Sequence, residues 1–213
     1  MMTPNATSLA RQVCRQIANL IPDDHDPGPV LSAALPVALA RTRHCIEHVR
    51  AWRASGFDPL VSGQYATLLY FLARETWTIH GDAATATRLF LVNKALNAME
   101  IFYEIELPEV FLLGHTPGLV LAKASYGSHL VLHQGCTVGR KSDDERPVIE
   151  DRVVLFPQSM VIGRCHIRAN TVLAPGVCLV DTDTPGDCYV VNGPEGPLIV
   201  PARRDVWRDY LMP

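Results

Sequence analysis

The chain has 213 residues, 48% of them hydrophobic, enough for one core or for two small ones in contact. Its 19 Lys and Arg against 22 Asp and Glu leave a formal charge of −3, without the basic excess that drives non-specific binding to a phosphate backbone, so nucleic acid is not an expected partner. No apolar run approaches the about 20 residues a helix needs to cross a bilayer, and Arg11 and Arg15 interrupt the one candidate leader segment, so the expectation is a cytoplasmic protein with no membrane partner.

Apolar residues recur at helical spacing in the first half: Leu9, Val13, Ile17 and Leu20; Leu35, Leu39, Ile46 and Val49; Leu68 and Leu72; Leu89, Val92, Leu96 and Met99. This predicts four amphipathic helices, separated by turn signals at Pro22 to Pro29 and Ser55 to Pro59. Pro36 is expected in the first turn of the second helix, and Asp82 is placed to cap the fourth. The remaining positions read as a solvated face. Asn93, Lys94 and Asn97 form a polar stripe that faces either a site or water, with water the default.

After Pro108 a period of six replaces the helical one. Stepping by six from Ile149 gives Leu155, Val161, Ile167, Leu173 and Leu179, and four residues after each fall Val153, Ser159, Cys165, Thr171, Val177 and Asp183, small in all but the last case. Upstream, a shifted register gives Val120, Tyr126, Leu132 and Val138. A six-residue side with one large aliphatic residue inward and a small one at the corner builds a triangular coil, and stacked coils bury that ladder only against each other. The expected class is α+β: a helical domain over 1–104, a left-handed parallel β-helix over 105–190 and a C-terminal tail over 191–213, with Trp207 and Tyr210 packing the tail down. The polar run Arg140 to Arg146 breaks the phase and is expected as an extruded loop. So thin a prism exposes its flank, which predicts a homotrimer or a dimer of trimers.

The cysteines (Cys14, Cys45, Cys136, Cys165, Cys178, Cys188) show no paired spacing and read as reduced core residues, with no structural zinc site.

The order of a helical half and a hexapeptide half resembles the serine O-acetyltransferase family. Gly114-His115-Thr116-Pro117-Gly118-Leu119-Val120 resembles that family's Asp-His-Ala-Thr-Gly-Ile-Val segment, and Leu132-His133-Gln134-Gly135-Cys136-Thr137-Val138-Gly139 its Ile-Leu-Gln-Ser-Val-Thr-Leu-Gly segment. The likeness covers residues from about 100 to 200 well and the helical half in outline. It implies transfer of an acetyl group from acetyl-CoA to L-serine or a serine-like small alcohol, with acetyl-CoA as co-substrate, no metal and a place in cysteine synthesis or a specialised pathway. His115 matches the family's general base, the residue type needed to accept a proton from an alcohol of very high pKa as it attacks a thioester. A carboxylate should orient it; Glu106 is the first choice and Glu104 the second, the alternative being two acids that cap the prism.

The sequence departs from the family at the acceptor end. Gly114 stands where the family has aspartate, and Asp144-Glu145-Arg146-Pro147 replaces its Asp-Arg-His-Pro run. Arg146 is expected to pair with an acceptor carboxylate, and His133, beside Gln134, either substitutes for the missing imidazole or is a surface residue. Asp58-Pro59 echoes a serine-contacting run of the family and is also a common turn. By position Gly139, Arg140, Pro157, Gly163 and Pro175 match residues near the thioester and pantetheine, with Arg140 and Lys141 available to phosphates and a backbone N–H near Gly139 available to an oxyanion. Two other classes compete: a γ-carbonic-anhydrase-like metal enzyme using His129, His133 and His166, and a non-catalytic scaffold motivated by Gly114 and the lost second histidine.

Overall fold

The computed structural model describes residues 6–142 and 144–213; Asp143, part of the expected loop, lies outside the described residues. Four helices come first: α1 (Ala6–Leu20), α2 (Gly28–Glu47), α3 (Ser62–Thr78) and α4 (Ala83–Asn97). In α1 the stripe Leu9, Val13 and Ile17 is buried while Leu20 is exposed. α2 begins at Gly28, with Pro29 in its first turn, so Pro36 stands in the helix interior and not in the first turn where the sequence placed it. α3 also differs from expectation. Every residue from Gly63 to Ala73 is buried, which makes it the central helix with no solvated face. Asp82 caps α4, accepting from the Thr85 N–H at 2.8 Å, and Ala98 ends it in the left-handed conformation at φ 50°.

The rest of the chain is a parallel β-helix of three sheets. The first holds β1 (Glu100–Ile101), β3 (Val120–Leu121), β6 (Thr137–Gly139), β9 (Met160–Ile162) and β12 (Cys178–Val180). The second holds β4 (Ser125–Tyr126), β7 (Val148–Ile149) and β10 (His166–Ile167). The third holds β2 (Phe111–Leu113), β5 (Leu130–Leu132), β8 (Val154–Leu155), β11 (Thr171–Leu173) and β13 (Cys188–Gly193), closed by an antiparallel hairpin to β14 (Gly196–Pro201). The six predicted ladder residues from Ile149 to Leu179 are at most 1% exposed. Each such burial contributes about 1.5–3 kcal/mol.

The upstream register differs from the sequence reading in one place. Leu121 pairs with Val138 and points inward, while Val120 pairs with Thr137 and is 39% exposed. The side from Leu121 to Tyr126 is one residue short of six, so a six-step count from Tyr126 lands on the wrong neighbour. The prism also starts earlier than residue 105, because β1 already pairs with β3 in register Glu100↔Val120. Among the described residues, Arg140 to Ser142 and Asp144 to Arg146 lie outside the strands, and a Lys141–Asp181 ion pair at 2.7 Å ties the first of these stretches down.

Several contacts join the halves and the tail. The Tyr70 hydroxyl on α3 donates to the Ile105 carbonyl and accepts from the Leu107 N–H, both at 2.8 Å. The outward side chains of the third sheet, Leu112, Val131, Val154 and Val172, form a second apolar cluster with Val49 and with Val206, Trp207 and Leu211 of the C-terminal segment. A short 3-10 helix, Val206–Asp209, carries Trp207 into that cluster at 3% exposure. The six cysteines are free thiols, four of them buried, and burial pushes Cys45 up to about 12. No described helix is long and apolar enough to cross a membrane.

Candidate active site

His115 is exposed on the corner between the third and first sheets. The corner is built from backbone bonds: Gly114 N–H donates to Leu132 C=O at 2.9 Å, Leu119 N–H to Thr116 C=O at 3.0 Å, and Gly135 N–H in the next coil to Pro117 C=O at 3.0 Å. Gly118, at φ 76°, donates to the Ala98 carbonyl at 2.8 Å, which fixes the end of α4 to the same turn. His133 and Gln134, then Pro157, then Pro175 occupy this corner in successive coils. A cavity of about 200 Å³ opens here, lined by Trp52, Leu112, Gly114, His115, His133, Asp209 and Tyr210 among others.

His133 is not a bare surface residue. Its ring stacks on Phe156 at 5.3 Å with an 11° interplanar angle, and Tyr210 meets it edge-on at 5.3 Å. Burial, and second the neighbouring His115, hold its pKa below the ordinary histidine value. Its Nε2 is buried without a hydrogen-bond partner, as is Oε1 of Gln134. A β-carbon on Gly114 would lie 3.3 Å from His133 Nδ1. The glycine at 114 and the imidazole at 133 therefore form one arrangement: the ring fills space that a side chain at 114 would need.

The expected orienting acids are elsewhere. Glu106 is 80% exposed and pairs with Arg74 at 3.1 Å, and Glu104 pairs with Lys123. Both line a different cavity, of about 290 Å³, with Ser125 and Arg146, which shares no residue with the one at His115. Within the chain Glu106 thus sits at the corner between the first and second sheets, not beside His115. Glu100, in β1, reaches the end of the His115 turn only through its backbone, its N–H donating to Leu119 C=O at 2.8 Å, while its carboxylate accepts from Lys94 at 2.6 Å; the acid that lines the His115 cavity is Asp209. The domain boundary read at 104 left Glu100 outside the prism, although β1 pairs with β3.

Arg140 and Arg146 come together, with Lys123 and Phe102, around a cavity of about 390 Å³ beside Glu104 and Glu106. Gly139 and Gly163 stack at the same corner, Gly163 N–H donating to Gly139 C=O at 3.0 Å, and Lys141 lies close above Gly163. The six expected co-substrate residues therefore fall on two corners, at opposite edges of the first sheet. Asp58 takes the turn role, its Oδ1 accepting from Leu60 N–H at 2.9 Å. Asn93 and Asn97 are buried, Asn93 donating to Ala66 C=O and Asn97 to Asn93, so these two face α3, while Lys94 is exposed and pairs with Glu100.

The three histidines weighed as metal ligands do not converge in the chain. His129 bonds the Met212 carbonyl at 2.9 Å, His166 bonds Glu150 at 2.6 Å, and His133 lies in its aromatic stack. Among the described residues no three His, Cys, Asp or Glu side chains are grouped to hold a metal ion.

No protein-family model matches the sequence. No curated protein matches it either. Solved structures do. A serine acetyltransferase from Neisseria gonorrhoeae superposes with a TM-score of 0.74 at 18% identity, covering 95% of this chain and 81% of that one. A serine acetyltransferase in complex with cysteine gives 0.75 at 15% identity, covering 98% and 84%. The Brucella abortus strain S19 serine acetyltransferase in complex with coenzyme A gives 0.68 at 18% identity, covering 94% and 84%. The chain has the fold of these proteins, a helical domain followed by a β-helix.

Proposed function

We propose that this chain is an acyl-CoA-dependent O-acetyltransferase, divergent within the serine acetyltransferase fold, acting on L-serine or a serine-like small alcohol. The observation that carries the reading is His115: an exposed imidazole on a backbone-locked corner, at the mouth of a cavity large enough for a small acceptor. The bound coenzyme A, serine and cysteine of similar proteins support the same ligand classes here.

In this reading His115 accepts the hydroxyl proton as the alcohol oxygen bonds to the thioester carbonyl carbon. The carbon–sulfur bond then breaks, the acetyl group stays on the acceptor oxygen, and the imidazolium returns its proton to the CoA thiolate. Within one chain Glu106 stands at a different corner from His115, so it is not assigned as the orienting carboxylate. Arg146 and Arg140 supply cations to the carboxylate or phosphates of the ligands.

The two-corner distribution supports a trimer. Pro157 and Pro175 lie on one edge of the first sheet, Gly139, Arg140 and Gly163 on the other, and Val120 and Val180 on its outer face are 39% and 48% exposed. A threefold assembly sets one edge against a neighbour's opposite edge, so that both groups line one groove for the pantetheine arm. A dimer of trimers through the helical domains is the larger form compatible with it.

The test is release of thiol from acetyl-CoA with L-serine, L-homoserine, L-threonine and an amino sugar in turn. Release that depends on L-serine is the expected result. Dependence on another alcohol keeps the mechanism and moves the acceptor; no release with any acceptor leaves the scaffold reading.

A further inference from the structure

The His115 cavity is aromatic and apolar on most sides, with Trp52, Leu112, His133 and Tyr210 in its walls, and Gly114 contributes no side chain. Among the described residues lining it, one is a carboxylate: Asp209, from the C-terminal 3-10 helix. That helix is fixed against the rest of the chain. Arg50 N–H donates to Tyr210 C=O at 2.9 Å, Met212 N–H to His48 C=O at 2.8 Å, Leu211 bridges to Val49, and Trp207 is buried beneath. The other acids nearby line no part of the cavity: Glu100 pairs with Lys94, Glu106 with Arg74, and Asp58 accepts within its own turn. Asp209 itself pairs with Arg204 at 2.7 Å, but both side chains are about half exposed, and an ion pair so open to solvent is weak and exchanges readily.

We infer that Asp209 recognises the ammonium group of the acceptor: the C-terminal turn supplies to the His115 cavity the carboxylate that position 114 lacks. This rests on the transferase reading and narrows it, since the acceptor class becomes small amino alcohols. A primary ammonium beside a carboxylate and over the Trp52 and Tyr210 rings gains a charge-assisted hydrogen bond and cation–π attraction, while an uncharged alcohol gains neither. A side chain this far along the sequence reaches the site because the tail folds back over the third sheet.

Calorimetric titration reads binding without turnover, and thiol release run beside it reads the reaction. All three ligands used carry the hydroxyl: L-serine and 3-hydroxypropanoate also share the carboxylate and differ in the ammonium, and ethanolamine keeps the ammonium without the carboxylate. The wild-type chain should bind the two amines at least tenfold tighter than 3-hydroxypropanoate. Asp209→Asn should erase that difference at an unchanged unfolding midpoint, and Asp209→Glu should keep most of it. Equal binding of all three by the wild type, or an amine preference that survives Asp209→Asn, overturns the inference. Turnover without amine preference sinks Asp209 alone, and amine preference without turnover sinks the transferase reading alone.

Discussion

At the residue scale the decisive pair is Gly114 and His133. Gly114→Asp restores the acid found at this point of the resembling family, but its β-carbon would lie 3.3 Å from the imidazole, so the variant should lose about 1–3 kcal/mol of stability by overpacking. Adding His133→Ala vacates the space. A denaturant double-mutant cycle should then show a favourable interaction between the two changes, and strict additivity would contradict the coupling.

The same residues set a pH dependence. His133 and His129 both have pKa values held below the ordinary histidine value near 6.5, in each case chiefly by burial. The unfolded chain then binds more protons than the folded one between the depressed values and about 6.5. Stability contributed by these rings is present above that window and is lost as pH falls through it. Chemical denaturation at pH 7.5 and 5.5 should show the loss, and a His129→Gln, His133→Gln chain should show a smaller one. The motif around His115 singles that residue out as the base we propose, whereas the packing of His133 is not legible in the sequence, because stacking on Phe156 and Tyr210 is a contact among three separated segments.

At the element scale the hexapeptide phase identified every ladder residue from Ile149 to Leu179, since each side there is a full six residues and one face is buried. It failed at Val120 because one short side shifts the count, and only strand pairing reveals which neighbour turns inward. Leu121→Ala should therefore cost about 2–5 kcal/mol in denaturant unfolding, and Val120→Ala within about 0.5 kcal/mol of nothing. The reverse order would put the ladder back on Val120. The start of the prism was read too late for a related reason: two residues of strand after a helix, Glu100 and Ile101, carry no periodic signal.

At the scale of the whole molecule, the tail is the part least visible in sequence. Trp207 and Tyr210 were expected to pack it down, and Trp207 does fill the outer valine column of the third sheet. That the same fold-back carries Asp209 to His115 depends on a contact between distant parts of the chain, which no local pattern encodes. The tail covers the third sheet and leaves the first sheet's outer face open, with Val120 and Val180 exposed. Sedimentation equilibrium should give a trimer or a multiple of three, and Val180→Glu should drive it toward monomer while sparing the helical content. A wild-type monomer would contradict the groove assembled from two edges.

The account turns on one imidazole, and one comparison addresses it most directly: acetyl-CoA thiol release with saturating L-serine by the wild-type chain and by His115→Ala. Removing a general base should lower kcat by about 10²–10⁴-fold while leaving acetyl-CoA binding and the unfolding midpoint in place. A His115→Ala chain that releases thiol at the wild-type rate would contradict the assignment of the base, and with it the active site built around that corner.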